Sequence, residues 1–364
     1  MSNPLFDKLF GRYTDADSVF LYLPDGQSIS HGAFVAMTAR FANLFAEVGL
    51  VAGDRLALQA EKSPQALAVY AACVQSGIVF LPLNTAYTPD ELAYFVQDSG
   101  AKLLICDSAK RKALAPVAAA CGAALETLDA DGGGTVTARA AGHPDRFETV
   151  ARRRDDLAAF LYTSGTTGRS KGAMLTQANL LSLVQVLVEY WRFSDTDVLL
   201  HALPIFHTHG LFVATNIMLL TGGAMIFLPK FDTDAVIAAL PDATAMMGVP
   251  TFYTRLLDDP RFDRDLVQHM RLFISGSAPL LAETHVQFQS RTGHRILERY
   301  GMTETNMNTS NPYDGDRRAV TVGFALPGVE LKVTDAATGA TLPDGDIGQI
   351  EVRGPNVFKG YWNM

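Results

Sequence analysis

Residues 161–172 have the side chains that phosphate binding requires. They read L-Y-T-S-G-T-T-G-R-S-K-G and continue an apolar run at 158–161. Glycines let backbone N–H groups approach phosphate oxygens, and threonine and serine hydroxyls add donors. Lys171 is a mobile cation for the outer phosphates of a nucleotide. The P-loop of NTPases is excluded, because it needs a lysine after its second glycine and Gly168 is followed by Arg169. A plain surface loop is the alternative, since these residue types are common in loops.

A second segment, residues 300–304, combines an aromatic ring, a glycine, a hydroxyl and a carboxylate in Y-G-M-T-E. Tyr300 offers a flat surface for adenine, and Thr303 offers a donor for the α-phosphate. Glu304 suits Mg²⁺, which takes one or two carboxylates together with nucleotide phosphates. The alternative is a helix start in which Thr303 is the cap and Glu304 interacts with the helix dipole.

Two further segments have less specific patterns. The turn S-G-S-A-P at 275–279 follows an apolar run, and open α/β sheets bind ligands at the carboxyl ends of their strands. An ordinary strand-to-helix turn explains this pattern equally well. His207 and His209 lack a third metal ligand nearby, so a role in a cavity wall or in the core is favoured over metal binding.

Short apolar strands alternate with helical stretches through most of the chain. Strands are predicted at 55–59, 78–81 and 102–106, and helices at 32–48 and 64–75. This order predicts an α/β fold with largely parallel sheets covered by helices. From about residue 320 short strands and turn residues predict a β-rich unit. We predict divisions at 1–150, 151–319 and 320–364.

Composition excludes several classes of function. The net charge of −8 argues against general binding to nucleic acid or to an anionic membrane. Three cysteines without metal-type spacing fit free thiols in a reducing cytoplasm. The uncharged window 210–228 predicts a buried helix, a turn and a strand rather than a membrane span, because Gly222 and Gly223 interrupt it.

Taken together, six segments resemble signatures of the acyl-adenylating superfamily, which includes acyl-CoA synthetases, nonribosomal peptide adenylation domains and firefly luciferase. In the order of that family they are 162–172, 203–207, 248–251, 275–279, 300–304 and 354–362. The resemblance covers essentially the whole chain. It implies two stacked, helix-covered, mostly parallel sheets plus a small β-barrel-like unit.

The resemblance also implies ATP and Mg²⁺ as ligands and coenzyme A (CoA) as a co-substrate. It assigns nucleotide binding to Thr163, Ser164, Gly165, Thr166, Thr167, Gly168, Lys171, Ser275, Gly276, Ser277, Ala278, Glu298, Tyr300, Gly301 and Thr303. Catalysis is assigned to Lys171, His207, Thr303 and Glu304, with Glu304 as the metal ligand. The acid is assigned to His207, Arg255, Ser277 and Met302.

The choice of acid depends on Arg255. A dicarboxylic acid needs a fixed cation for its second carboxylate, and an arginine has the matching planar fork. A surface arginine paired with Asp258 or Asp259 is the alternative. The runs at 201–213, 273–281 and 298–317 resemble bacterial malonyl-CoA synthetases, in which an arginine and the second serine of S-G-S hold the distal carboxylate.

The resemblance thus implies an acid–CoA ligase of fatty acid metabolism that forms malonyl-CoA from malonate, ATP and CoA through malonyl-adenylate. Two alternatives are a ligase for another short or medium-chain acid, such as methylmalonate or acetate, and a catalytically silent nucleotide-binding module. Members of this family continue past the position of Met364 into a T-G-D segment and a small C-terminal domain. We therefore expect this chain to bind ATP weakly, to adenylate poorly and to form little thioester by itself.

Overall fold

The computed structural model describes residues 2–163 and 169–364. Its strands, numbered along the chain, are β1 Val19–Tyr22, β2 Ser28–Ser30, β3 Arg55–Gln59, β4 Val79–Pro82, β5 Leu103–Cys106, β6 Ala124–Thr127, β7 Leu157–Thr163, β8 Lys171–Thr176, β9 Val198–His201, β10 Ala224–Phe227, β11 Ala245–Gly248, β12 Leu272–Ser275, β13 Leu297–Tyr300, β14 Thr309–Ser310, β15 Phe324–Ala325, β16 Glu330–Thr334 and β17 Gln349–Arg353.

The helices alternate with these strands. They are α1 Pro4–Leu9, α2 His31–Glu47, α3 Pro64–Ser76, α4 Pro89–Ser99, α5 Arg111–Ala120, α6 Thr135–Ala140, α7 Gln177–Tyr190, α8 Asn216–Thr221, α9 Thr233–Ala239, α10 Pro250–Leu257, α11 Arg264–Val267 and α12 Ala282–Thr292. Short 3₁₀ turns lie at Gly11–Tyr13, Ser108–Lys110 and Leu240–Asp242, and a π-helical stretch at His209–Thr215.

Most strands form two sheets whose central strands are parallel. The first sheet has six strands in the order β6-β5-β3-β4-β7-β8, and only β8 runs antiparallel to its neighbour. The second has nine, in the order β15-β14-β13-β12-β11-β9-β10-β1-β2, and its strands from β13 to β1 are parallel. Helices connect the parallel strands, as such sheets require.

Helix α3 fixes the two sheets to each other. Ser63 caps its first turn, and residues 66–76 are all buried. The Tyr70 ring contacts Phe80 of the first sheet at 5.4 Å between ring centroids and Phe212 beside the second sheet at 5.8 Å. Aromatic contacts of this kind stabilise beyond simple area burial. The predicted α/β fold of two stacked, helix-covered sheets is therefore confirmed.

The last unit differs from the β-barrel-like expectation. Strands β16 and β17 pair antiparallel, with Leu331 opposite Val352, and the described residues there form a two-stranded ribbon rather than a closed barrel. Closing a barrel needs more strands, and β15 pairs instead with β14 of the second sheet. The divisions at 150 and 319 stay predictions; β7 and β8 from beyond residue 150 complete the first sheet.

The window 210–228 folds as predicted. It contains most of the π-helical stretch, helix α8, a turn at Gly222 with φ of +88°, and strand β10. In the described part of the chain no helix is both long and apolar enough to cross a membrane.

Candidate active site

A cavity of about 680 Å³ opens where the two sheets meet. Its walls include residues at or just after the carboxyl ends of five parallel strands, β7, β9, β11, β12 and β13. Ligands bind in this position in open α/β sheets. Among the residues predicted for the site, the lining contains Thr163, Lys171, His207, Ser277, Gly301, Met302, Thr303 and Glu304.

One end of the cavity carries the residues predicted to bind phosphate. Thr163 at the end of β7 pairs with Lys171 at the start of β8, because the two strands form a hairpin. The predicted loop residues Ser164, Gly165, Thr166, Thr167 and Gly168 lie outside the described residues. Lys171 Nζ lies 5.2 Å from the centroid of the Tyr361 ring.

Glu304 lies near this end and is 9% exposed. Its Oε1 accepts a hydrogen bond of 2.8 Å from the Tyr361 hydroxyl, and its backbone oxygen accepts one of 2.7 Å from the Phe358 amide. Within residues 2–163 and 169–364 no three carboxylate, imidazole or thiol groups gather as a metal cage. A single carboxylate in a nucleotide cavity is nevertheless a donor set that fits Mg²⁺, which draws its other ligands from phosphate and water.

The same cavity is also lined by Arg299, which the sequence interpretation did not assign. The side chain projects from β13 and is 3% exposed, and among the described residues no carboxylate pairs with it. Its Nε and Nη2 have no hydrogen-bond partner within the same residues. Burial lowers the pKa of Arg299 to about 10, so the guanidinium is still charged at neutral pH. A buried cation with unused donors, facing a cavity, is arranged to receive an anion.

Gly276 makes room for this guanidinium. A Cβ at position 276 would lie 2.3 Å from Arg299 Cζ, so any larger residue would displace the arginine. Gly276, a predicted site residue, therefore contributes by lacking a side chain, which leaves room for the Arg299 guanidinium.

Ser277 and His209 lie beside Arg299. Ser277 has φ of +69°, a strained conformation for a serine, and its Oγ lies 3.3 Å from His209 Nδ1. Burial and then the Arg299 charge hold the pKa of His209 well below its usual value, so the ring is neutral. Its Nε2 lacks a partner in the described part of the protein. Ser277 and His209 therefore add neutral polar groups to the cavity wall beside the cation.

The remaining predicted residues lie outside the cavity lining: Arg255, Ser275, Ala278, Glu298 and Tyr300. Arg255 is exposed on α10, with its guanidinium 4.8 Å from the centroid of the Phe231 ring. Glu298 is buried and lies 3.5 Å from His285. Their assigned roles stay predictions.

Comparison with known proteins identifies the family. A family model described as AMP-binding enzyme matches residues 9–362. The chain belongs to this AMP-binding enzyme family. It is similar to a malonate–CoA ligase of Arabidopsis thaliana, with 33% identity over 99% of this chain and 65% of that protein. A mitochondrial malonate–CoA ligase of Mus musculus is 35% identical over 79% of this chain and 55% of that protein.

Solved structures agree with the fold. The crystal structure of ATP-bound MatB from Rhodopseudomonas palustris is 58% identical to this AMP-binding enzyme, with a TM-score of 0.98 over 100% of this chain and 72% of that one. The chain therefore spans about two thirds or less of the length of the two ligases and about three quarters of the solved structure.

This AMP-binding enzyme has a second cavity of about 280 Å³, which shares Pro204 with the first. Lys62 lines it and is 7% exposed. The Lys62 amine lies 2.7 Å from His201 Nδ1 and donates to the His201 backbone oxygen at 2.7 Å. No carboxylate of the described residues pairs with it, and burial lowers the pKa of Lys62 well below its ordinary value.

Replacing Lys62 with methionine is expected to change how stability depends on pH. Between the lowered folded pKa and the ordinary value near 10.5, the unfolded chain binds a proton that the folded chain does not. The wild type therefore gains up to about 1.4 kcal/mol of stability per pH unit in that window, and Lys62→Met does not. Urea unfolding of both proteins from pH 7 to pH 10 measures the difference. If the unfolding free energies of the two proteins changed equally with pH over this range, the buried Lys62 amine would have to keep its ordinary pKa.

Proposed function

We propose that this chain forms malonyl-adenylate from malonate and ATP, as the first half of a malonate–CoA ligase reaction. The observation that carries the proposal is that one cavity is lined both by groups suited to phosphate and Mg²⁺ and by a buried arginine. Lys171, Thr303 and Glu304 line this cavity and suit a metal-bound triphosphate, and the buried Arg299 lines the same cavity. The names of the similar ligases from Arabidopsis and mouse support the same acid.

The chemistry joins two anions, so its main barrier is electrostatic. A malonate oxygen attacks the α-phosphorus of ATP, pyrophosphate leaves, and a mixed anhydride remains. The Lys171 ammonium offsets the negative charge of the phosphates, and the Thr303 hydroxyl donates to an oxygen of the α-phosphate. When bound, Mg²⁺ neutralises phosphate charge, and Glu304 is the residue that would hold it. Fixed groups of this kind lower the barrier without a covalent enzyme intermediate.

Recognition of a distal carboxylate is what would select malonate over monocarboxylic acids. We assign it to the Arg299 guanidinium, with the Ser277 hydroxyl as a second donor, because both line the cavity and Arg299 has unused N–H groups in the described structure. We expect a three-carbon diacid to span from the α-phosphate to this arginine. His207 is exposed and lines the cavity, and we assign it to the wall beside the acid.

The adenylate is then captured by the CoA thiol, which releases AMP. We place the reaction in the cytoplasm, because Cys73, Cys106 and Cys121 are all free thiols, as a reducing compartment maintains them.

Acid-dependent exchange of labelled pyrophosphate into ATP tests the proposal on this 364-residue chain. Malonate is expected to support exchange at least tenfold better than acetate or octanoate, as a buried charge pair worth about 2 kcal/mol or more requires. Methylmalonate tests how tightly the cavity encloses the acid. Faster exchange with a monoacid would reassign the substrate, and Mg·ATP binding without exchange for any acid would favour a silent nucleotide-binding module.

A further inference from the structure

Tyr361 lies between the two charged side chains at the nucleotide end of the cavity. Its hydroxyl donates to Glu304 Oε1 at 2.8 Å, and its ring centroid lies 5.2 Å from Lys171 Nζ. One aromatic side chain therefore contacts both charged groups.

Backbone contacts, rather than the side chain itself, hold Tyr361 in place. Residues 358–362, which we call the clasp, run alongside β8. The Met174 amide donates to the Gly360 oxygen at 3.0 Å, and the Trp362 amide donates to the Gly172 oxygen at 2.8 Å. The Trp362 indole also donates to the Asp98 oxygen at 2.9 Å. Changing the Tyr361 side chain thus leaves the attachment of the clasp intact.

The position of the ring has an electrostatic consequence. Lys171 and Glu304 carry opposite charges and line the same cavity, yet among the ion pairs of residues 2–163 and 169–364 none joins them. A direct pair would neutralise both groups, and ligands would have to break it before binding. Tyr361 instead gives each group a separate partner, a ring face for the ammonium and a hydroxyl for the carboxylate.

We propose that Tyr361 is a positioning residue that keeps Lys171 and Glu304 apart, so that the ammonium is available to phosphate oxygens and the carboxylate to Mg²⁺. The inference rests on the proposed function only in taking this end of the cavity as the nucleotide site. It adds a role for a residue that neither the phosphate segment nor the Y-G-M-T-E segment contains.

Two substitutions separate the ring from the hydroxyl. Tyr361→Leu removes both partners and lets Lys171 pair with Glu304, so Mg·ATP affinity is expected to fall about tenfold. Tyr361→Phe keeps the ring and loses only the hydroxyl, so the expected loss is about twofold to threefold. Calorimetric titration of the 364-residue chain with ATP, with and without Mg²⁺, measures both. Tyr22→Leu, at a 42% exposed tyrosine that does not line the cavity, is the matched control.

The decisive comparison repeats Tyr361→Leu in a Lys171→Met background. Without the ammonium there is no pair to prevent, so the further loss is expected to be less than about twofold. A merely structural role for Tyr361 would produce the same loss in both backgrounds and a parallel fall in melting temperature. That result, or unchanged Mg·ATP affinity in Tyr361→Leu, would overturn the positioning role of Tyr361 while leaving the nucleotide site intact. A wild-type chain that binds no Mg·ATP would instead remove the nucleotide site and the proposed function with it.

Discussion

Replacing Arg299 with methionine is expected to weaken binding of a non-hydrolysable malonyl-adenylate analogue by about 30-fold or more. Removing one partner of a buried charge pair typically costs roughly 2–5 kcal/mol, which corresponds to this range. Binding of the matching acetyl analogue, which has no distal carboxylate, is expected to change by less than about threefold. Calorimetric titration with the two analogues gives the ratio directly.

Folding is not expected to suffer from Arg299→Met. Arg299 is 3% exposed and pairs with no carboxylate of the described residues, so its removal leaves no buried counter-charge. Burying an unpaired charge costs free energy, so an apolar side chain of similar length at this position is expected to be neutral or stabilising. A melting temperature at or above that of the wild type therefore accompanies the predicted loss of affinity.

Arg255→Leu is the matched control and the competing prediction. The sequence interpretation assigns the distal carboxylate to Arg255, whereas the structure has that residue exposed beside Phe231. If Arg299 binds the acid, Arg255→Leu changes the ratio of malonyl to acetyl affinity by less than about twofold. A large change with Arg255→Leu and none with Arg299→Met would return the assignment to Arg255. Equal loss of both analogues in Arg299→Met would mean that the arginine only shapes the cavity.

The largest effect on stability is expected from Asp197→Ala. Asp197 is 4% exposed and accepts two hydrogen bonds from Arg271, of 2.6 and 2.8 Å. It also accepts from the Ser194 amide at 2.8 Å and from the Thr244 hydroxyl at 2.7 Å. These contacts join the segments that lead into β9, β11 and β12, whose far ends form the cavity wall. Removing the carboxylate leaves Arg271 without its partner, at a cost of about 3–5 kcal/mol.

Urea unfolding of wild type and Asp197→Ala tests this value. Asp316→Ala, which breaks exposed pairs with Arg295 and Arg318, is the control and is expected to lower stability by less than about 1 kcal/mol. Burial raises the pKa of Asp197. Hydrogen bonds from Arg271, Ser194 and Thr244 together outweigh this effect and hold the pKa of Asp197 below its usual value. The stabilisation is therefore present above about pH 4 and is lost as pH falls through the folded pKa. Equal effects of the two substitutions would contradict the account.

Local sequence patterns predict the secondary structure of this protein well. Strand β3 begins and ends at the predicted residues, and the break at Gly222 separates helix from strand as expected. Hydrophobic periodicity and turn-forming residues are local properties, so both can be read from the sequence. The closed form expected for the terminal unit is not a local property, and the structure has a two-stranded ribbon there.

The site residues are predicted less completely, because tertiary packing determines which side chains line the cavity. Lys171, Thr303 and Glu304 belong to recognisable segments and do line one cavity. Arg299 is visible in the sequence as one of two adjacent charged residues in β13, but only the packed structure shows that it has no acidic partner in the described chain. His209 and Tyr361 contribute through neighbours distant in sequence, Ser277 and Glu304, which no local pattern joins.

A crystal structure of this chain with the malonyl-adenylate analogue tests the central claim most directly. The account predicts the phosphate of the analogue beside Lys171 and Thr303, and the distal carboxylate within hydrogen-bonding distance of the Arg299 guanidinium. An analogue bound outside this cavity, or one whose distal carboxylate points away from Arg299 to solvent, would contradict it.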